Sequence, residues 1–99
     1  MNIKEVKVTE VGPRDGFQSE KTILKTEDKI DIINNLIEAG FPRIEVSSFV
    51  SPKAIPQLAD AESILSKVNR SSKTTLAALV PNSRGALRAV EAKLDQIVV

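Results

Sequence analysis

Residues 3–18 read IKEVKVTEVGPRDGFQ and decide the fold, because a β-type run leads directly into a charged turn. Its first part, Ile3–Val11, is rich in β-branched side chains with partial alternation, which predicts the first strand. A Gly-Pro pair then ends the strand, and Gly16 closes the turn. Arg14 and Asp15 are therefore expected at the tip of a strand, where α/β proteins commonly build their sites.

The two charged residues of this turn have complementary chemistry. Asp15 offers hard oxygen atoms for a divalent cation. Arg14 offers a planar fork of donors for a carboxylate, an enolate or a phosphate. The alternative is an ordinary solvated surface pair, which is the more frequent role of adjacent Arg and Asp residues in a turn.

The composition excludes several classes of function. The 99 residues carry 14 basic and 13 acidic side chains, and because these are interleaved, no basic surface for nucleic acid or for a membrane is expected. Three phenylalanines without Trp or Tyr leave little for base stacking. No signal peptide pattern and no apolar run of membrane length occurs, which predicts a soluble cytoplasmic protein.

The chain contains neither cysteine nor histidine. Disulfides, thiolate nucleophiles, zinc-thiolate sites and the commonest general base are therefore excluded. Any metal ion held by this chain alone needs oxygen ligands.

The first helix is predicted from Thr26, as its N-cap, to Gly40, as its C′ residue. Acidic residues fill its first turn, where the helix dipole favours them. Its apolar side chains fall on one stripe of a 3.6-residue period: Ile30, Ile33, Leu36 and Ile37.

The second strand is predicted at Arg43–Phe49 and carries an acid, Glu45, between two apolar residues. In a parallel sheet covered on both faces, such a carboxylate either faces a polar site or is costly. The alternative is an acid at an exposed edge. Ser47, Ser48 and Ser51 follow, and hydroxyls at this position either cap the next helix or touch a ligand.

The remainder repeats the same alternation. A helix is expected at about 57–68, after a short turn from Pro52, with Leu58, Ala61, Leu65 and Val68 facing inward. An almost unbroken apolar run, Thr74–Val80, predicts a buried third strand. Pro81-Asn82-Ser83 stops this strand and caps a helix at Arg84–Lys93, whose predicted inward stripe is Leu87, Val90 and Leu94. Residues 96–99 begin a fourth strand.

Strand and helix alternating in units of about 30 residues predict right-handed crossovers and a parallel sheet. The predicted fold class is α/β, a partial TIM barrel in which residues 1–99 form the N-terminal part of a (β/α)8 catalytic domain whose remainder is absent. The carboxyl ends of parallel strands share one edge of a sheet. The side chains there should therefore gather: Arg14, Asp15, Gln18, Glu45 and its following serines, and Asn82.

Three segments of the sequence resemble the hydroxymethylglutaryl-CoA lyase family, which consists of metal-dependent TIM-barrel enzymes. They are Glu10–Lys21, Ile44–Lys53 and Leu79–Asn82. The resemblance extends from the first strand to the end of the chain and matches the N-terminal third of such a lyase. It implies cleavage of 3-hydroxy-3-methylglutaryl-CoA to acetoacetate and acetyl-CoA with a divalent cation, Mg²⁺ or Mn²⁺.

The resemblance also implies roles for individual residues. Asp15 would be a metal ligand, and Arg14 would stabilise the enolate oxygen that develops as the bond breaks. Gln18 would support the substrate, and Glu45 would orient groups or relay protons near the reacting centre. Lys21 would meet the phosphates of coenzyme A.

Ser48 would line the substrate pocket. The implied partners are an acyl-CoA substrate and a second copy of the chain in a dimer, or self-association of the chain through its edge strands. Neither nucleic acid nor a membrane is expected as a partner.

The family's other metal ligands, two histidines and an asparagine, and its acid-base cysteine belong to segments that these residues do not include. The 99 residues alone are therefore expected to be inactive. Two alternatives remain: a related barrel lyase or aldolase acting on another acyl-CoA or keto acid, and a short α/β module that binds an anion without turnover.

Overall fold

The computed structural model describes residues 8–19 and 21–99. Four parallel strands form one sheet in the order β1-β2-β3-β4: β1 Thr9–Glu10, β2 Arg43–Ser48, β3 Thr75–Leu79 and β4 Gln96–Val98. The helices α1 Phe17–Ser19, α2 Thr26–Glu38, α3 Ala61–Lys67 and α4 Ser83–Glu91 connect them. This confirms the predicted parallel α/β alternation. The predicted first strand is observed only at its end, since residues 3–7 lie outside the described residues.

One face of the sheet is covered by the helices. Ile44 and Val46 of β2 and Leu76 of β3 join side chains of α2, α3 and α4 in a single buried cluster. The predicted inward positions of α2 and of the segment around α3 are confirmed, because Ile33, Leu58 and their predicted companions are buried or packed against this cluster. The helices therefore hold in place the strands whose carboxyl ends carry the predicted site.

The turn after β1 is helical rather than an open loop. Gly12–Gly16 form a π-helical turn that continues directly into α1, and the amides of Arg14 and Asp15 both donate to the carbonyl of Val11. Gly16 does not adopt a positive φ, and a Cβ there would meet nothing within 4 Å, so the expected glycine-dependent turn is wrong at this position. A Cβ on Gly12 would lie 2.7 Å from Oε1 of Glu10, so close approach explains that glycine.

Two helix starts differ from the predictions. Thr26 is the first residue of α2 and not its cap, because its hydroxyl donates to Asp60 Oδ2 at 2.7 Å. The third helix begins at Ala61, four residues later than expected, since Pro56–Leu58 form a separate 3-10 turn. Gly40 has φ +91°, as a C′ residue requires, which confirms the predicted end of α2.

The predicted inward stripe of the last helix is wrong at Leu87 and Val90, whereas Leu94 packs against the buried cluster as predicted. Leu87 and Val90 are 68% and 70% exposed, whereas Gly85 and Ala89 are buried. The reason is close packing, because a Cβ on Gly85 would collide with the carbonyl oxygen of Phe49. Only small residues fit between α4 and the end of β2, and the larger apolar side chains are therefore turned outward.

Candidate active site

An ion pair lies where the first two strands end. Arg14 Nε donates to Glu45 Oε1 at 3.2 Å, and the Glu45 side chain is only 9% exposed. A carboxylate buried in the middle of a strand is costly without a partner, and the guanidinium supplies a charged one. The prediction that Arg14 and Glu45 converge is confirmed, and the alternative of an exposed edge acid is wrong.

Asp15 is oriented differently from its neighbour. Its side chain is 65% exposed, and its Oδ1 lies 3.6 Å from a terminal nitrogen of Arg14. This separation corresponds to a loose ion pair, so the carboxylate oxygens remain accessible to another cation. Asp15 therefore fits the chemistry of a single metal ligand.

A cavity of about 300 Å³ opens beside the ion pair. Three of the predicted site residues line it: Arg14, Gln18 and Ser48. Its remaining wall is largely apolar and includes Leu79, Pro81 and Val98. The Ser48 hydroxyl reaches only a long contact of 3.5 Å to the carbonyl of Leu79, so it is weakly engaged within the chain.

Two other predicted residues lie apart from this cavity. Lys21 is exposed and is not part of the cavity wall. Asn82 caps α4 by accepting a hydrogen bond of 2.8 Å from the amide of Gly85, which confirms the predicted cap. Asn82 faces a separate cavity of about 610 Å³, whose wall also includes Arg84 and Arg88.

The resolved pKa shifts belong to that second cavity. Hydrogen bonds from Arg88 lower the pKa of Glu62, and the carboxylate in turn raises the pKa of Arg88. Both guanidinium contacts are 2.7 Å long. The pair joins α3 to α4, and Arg88 also donates to the carbonyl of Val50, a residue of the cavity wall beside Arg14, at 3.2 Å.

Within residues 8–19 and 21–99, no group of three or more Asp, Glu, His or Cys side chains is placed to hold a metal ion. Asp15 therefore stands as a partial ligand set. In the same described part of the chain, no helix is long and apolar enough to cross a membrane. A cytoplasmic location and a dimeric state stay predictions.

Three features of the structure were not predicted from the sequence. Lys29 is 1% exposed, and its ammonium contacts Gln57 O at 2.5 Å and both carboxylate oxygens of Asp60. The same ammonium lies 5.9 Å from the ring centroid of Phe17, directly after the charged turn. The third is an extra residue at Val46–Ser47 of β2, for which a break in the apolar alternation is the one sequence signal.

Comparisons with known proteins agree on one family. The HMGL-like family profile matches residues 5–99. The chain is 47% identical over 96 residues to a hydroxymethylglutaryl-CoA lyase of Bacillus subtilis, covering 97% of the chain and 32% of that protein. It is 42% identical over 100 residues to a 3-hydroxy-3-isohexenylglutaryl-CoA/hydroxymethylglutaryl-CoA lyase of Pseudomonas aeruginosa, covering 100% of the chain and 33% of that protein.

A solved structure shows the same arrangement of strands and helices. An HMG-CoA lyase from Acinetobacter baumannii, in complex with coenzyme A and 3-methylmalate, superposes with a TM-score of 0.92 at 47% identity. The match covers 98% of this chain and 32% of that one. The prediction of a partial (β/α) barrel is confirmed, and the chain spans about a third of the length of these relatives.

Proposed function

The chain belongs to the HMGL-like family, and from that premise we propose that the protein carrying it cleaves 3-hydroxy-3-methylglutaryl-CoA to acetoacetate and acetyl-CoA. The observation that supports this most directly is the Arg14–Glu45 ion pair beside a cavity that also contains Gln18 and Ser48. The family relationship supplies the class of reaction, and the geometry supplies the donors that the reaction needs.

The cleavage breaks the bond between the substrate's tertiary carbinol carbon and the carbon next to the thioester. As the carbinol loses its proton and becomes the ketone of acetoacetate, the electron pair of the broken bond moves onto the thioester, giving an enolate. Protonation of that enolate at carbon yields acetyl-CoA. The site must therefore stabilise a negative oxygen that exists only as the bond breaks.

Arg14 is suited to this task. Glu45 fixes its Nε, and among the described residues the only other charged contact of the guanidinium is the loose one to Asp15. The terminal N–H groups are thus available to an anion in the cavity. A permanently charged planar fork held from behind is a preorganised donor, and preorganisation is what gives such groups their effect on rate.

Glu45 and Ser48 complete the polar part of the proposed site. Glu45 holds the guanidinium, and its second carboxylate oxygen remains for a proton relay near the reacting centre. Ser48 would contact the substrate from the carboxyl end of β2, and Gln18 would support the substrate beside Arg14. Lys21 is exposed and would contact the phosphates of coenzyme A.

Asp15 would supply one ligand to a divalent cation, Mg²⁺ or Mn²⁺. When bound, such a cation acts as a Lewis acid that favours the alkoxide form of the tertiary hydroxyl. One carboxylate does not hold a divalent ion by itself, because such sites use several ligands. We therefore propose that the 99 residues alone have no lyase activity.

The test is turnover by the natural protein that contains these residues. Purified protein is mixed with 3-hydroxy-3-methylglutaryl-CoA and Mg²⁺, and acetoacetate and acetyl-CoA are quantified in equal amounts over time. Formation of both products supports the proposal. Absence of both products with metal-loaded, folded protein contradicts it.

A second candidate substrate class is favoured by the apolar wall of the cavity. Leu79, Val80 and Val98 line the cavity, and apolar side chains suit an alkyl substituent of the substrate. Analogues in which a longer branched alkyl group replaces the 3-methyl group form the relevant panel. A higher kcat/KM for such an analogue would make the longer-chain lyase the better description.

A further inference from the structure

Strand β2 contains one residue more than the strand it pairs with. Glu45 lies opposite Ala77 of β3, but the next aligned pair is Ser47 and Ala78. Val46 and Ser47 together therefore oppose a single residue, which defines a β-bulge. The bulge begins one residue after the carboxylate that binds Arg14.

The bulge changes the spacing of both faces of β2. Ile44, Val46 and Phe49 belong to the buried cluster under the helices, with spacings of two and then three residues. Glu45 and Ser48 are three residues apart, yet the first binds Arg14 and the second lines the same cavity as Arg14. In a regular strand, residues three apart point to opposite faces.

A regular strand with the same faces is available to this sequence. Without Ser47, residues 44, 46 and 49 would alternate strictly with Glu45 and Ser48, and Ser48 would keep its observed partner Leu79. The observed strand, with its extra residue, has the less favourable free energy of folding at Ser47. Ser47 is fully buried, and its hydroxyl has no hydrogen-bond partner within the described residues, which is unfavourable for folding.

We propose that the Val46–Ser47 bulge, through its extra backbone residue, is a positioning device for the active site. A bulge increases the local twist of a strand and re-aims the neighbouring side chains. Here it sets the direction of the Glu45 carboxylate toward the guanidinium of Arg14, beside the cavity that Ser48 lines. The catalytic consequence of this inference rests on the proposed lyase function.

The test compares two variants of the natural full-length protein. Deletion of Ser47 removes the bulge and keeps the faces of β2, whereas Ser47→Ala keeps the bulge and removes the hydroxyl. Deletion of Ser72, an exposed residue in the loop before β3, controls for chain shortening at the far end of the sheet. For each protein, kcat, KM and the thermal unfolding midpoint are measured.

The expected result separates catalysis from stability. Deletion of Ser47 should lower kcat by about 100-fold, because a misplacement of about 1 Å at a catalytic group has an effect of that size. Its unfolding midpoint should equal or exceed that of the parent, since a buried unpaired hydroxyl is removed. Ser47→Ala and the Ser72 deletion should retain parental kcat.

Three outcomes would overturn the proposal. Parental kcat after deletion of Ser47 would show that the bulge has no role in catalysis. Failure of that variant to fold would show that the extra residue is needed for folding rather than for the site. A loss in Ser47→Ala as large as in the deletion would assign the effect to the hydroxyl.

Failure of the proposed function remains distinguishable, because the parent protein itself would then show no turnover. In that case a crystal structure of the Ser47 deletion still tests the positioning. The inference requires that the 3.2 Å contact between Arg14 Nε and Glu45 Oε1 is lost in that variant. Its retention would refute the inference without reference to activity.

Discussion

Two largely buried ion pairs can be compared. One lies in the outer helical layer, which is formed by α2, α3 and the segment before α3, and the other lies at the edge of the sheet that carries the site. In the outer layer, Lys29 of α2 binds Asp60, which precedes α3, at 2.9 Å. At the strand edge, Arg14 binds Glu45 at 3.2 Å. The first pair is enclosed between helices, whereas the second lies beside a cavity.

The difference between the pairs is the number of donors that remain available. The Lys29 ammonium contacts both Asp60 oxygens and the carbonyl of Gln57, so its three protons are used within the chain. Arg14 has five N–H donors and one hydrogen bond among the described residues. A buried cation whose donors are all hydrogen-bonded within the chain has a structural role. A cation beside a cavity whose donors are mostly unpaired can bind a ligand.

The strongest test of this contrast is Arg14→Lys in the natural full-length protein. We expect kcat to fall by about 10²- to 10³-fold, the usual effect of removing a donor to a developing oxyanion. Lysine keeps the charge but lacks the planar fork. Steady-state kinetics with 3-hydroxy-3-methylglutaryl-CoA measures the change, together with the unfolding midpoint, which should remain nearly unchanged.

The matched control for that variant is Arg43→Lys. Arg43 lies at the other end of β2, where its Nε donates to Gln96 at 2.7 Å. This change should leave kcat near the parental value. Equal rates for the Arg14 variant and the parent would remove Arg14 from the mechanism.

The converse test is Lys29→Met, which should affect stability and spare catalysis. Removing one partner of a buried pair leaves an uncompensated charge, here softened because Asp60 is 20% exposed and also accepts from Thr26. We expect a loss of about 3 kcal/mol in the free energy of unfolding, measured by urea denaturation. Lys67→Met, at an exposed position, is the control. A lower kcat per folded molecule in Lys29→Met would contradict the expectation that this pair affects stability alone.

A pair of glycine substitutions compares packing in the same two regions. Gly85→Ala puts a methyl group against the carbonyl of Phe49, while Gly16→Ala places one in open space. Overpacking costs about 1–3 kcal/mol, so the first variant should melt earlier and the second should melt at or above the parental temperature. Thermal unfolding followed by circular dichroism measures both, and an equal loss at Gly16 would contradict the observed space around the charged turn.

The smallest effect is expected for Glu62 and Arg88 on the outer surface. Hydrogen bonds from Arg88 lower the pKa of Glu62 below its ordinary value of 4.5. The pair therefore stabilises the fold above that value, and the contribution is lost as pH falls through the lowered pKa. Because Glu62 is 47% exposed, Glu62→Gln should cost only about 0.5 kcal/mol at pH 7 and nothing near pH 2; an undiminished difference in acid would exclude a charge effect.

The sequence predicted those parts of the fold that depend on periodicity. The β/α alternation, the stripe of α2 and the buried third strand follow from apolar spacing, and the Asn82 cap follows from its position before a helix. The convergence of Arg14 with Glu45 was predictable from topology, because parallel strands place their carboxyl ends together. The functional roles of all the predicted site residues stay predictions: Arg14, Asp15, Gln18, Lys21, Glu45 and Ser48.

The features that were missed depend on contacts between distant residues. A hydrophobic stripe at Leu87 and Val90 predicts burial, but the backbone of Phe49 leaves room only for Gly85 and Ala89 on that side of α4. Lys29 reads as a solvated charge until Asp60, 31 residues away, is placed beside it. The local sequence pattern carries no information about the contact between Phe49 and Gly85 or about the contact between Lys29 and Asp60.

Because Lys29 is buried, the rate at which its amine is chemically labelled reports local opening of the protein. Acylating reagents attack free amines, so Lys29, which is 1% exposed, is shielded until α2 separates from the segment before α3. The labelling rate at Lys29, divided by the rate at an exposed lysine such as Lys73, reports the fraction of time that α2 is separated from the segment before α3. Mass spectrometry of labelled peptides thus reads local breathing of the outer layer without any assay of the site.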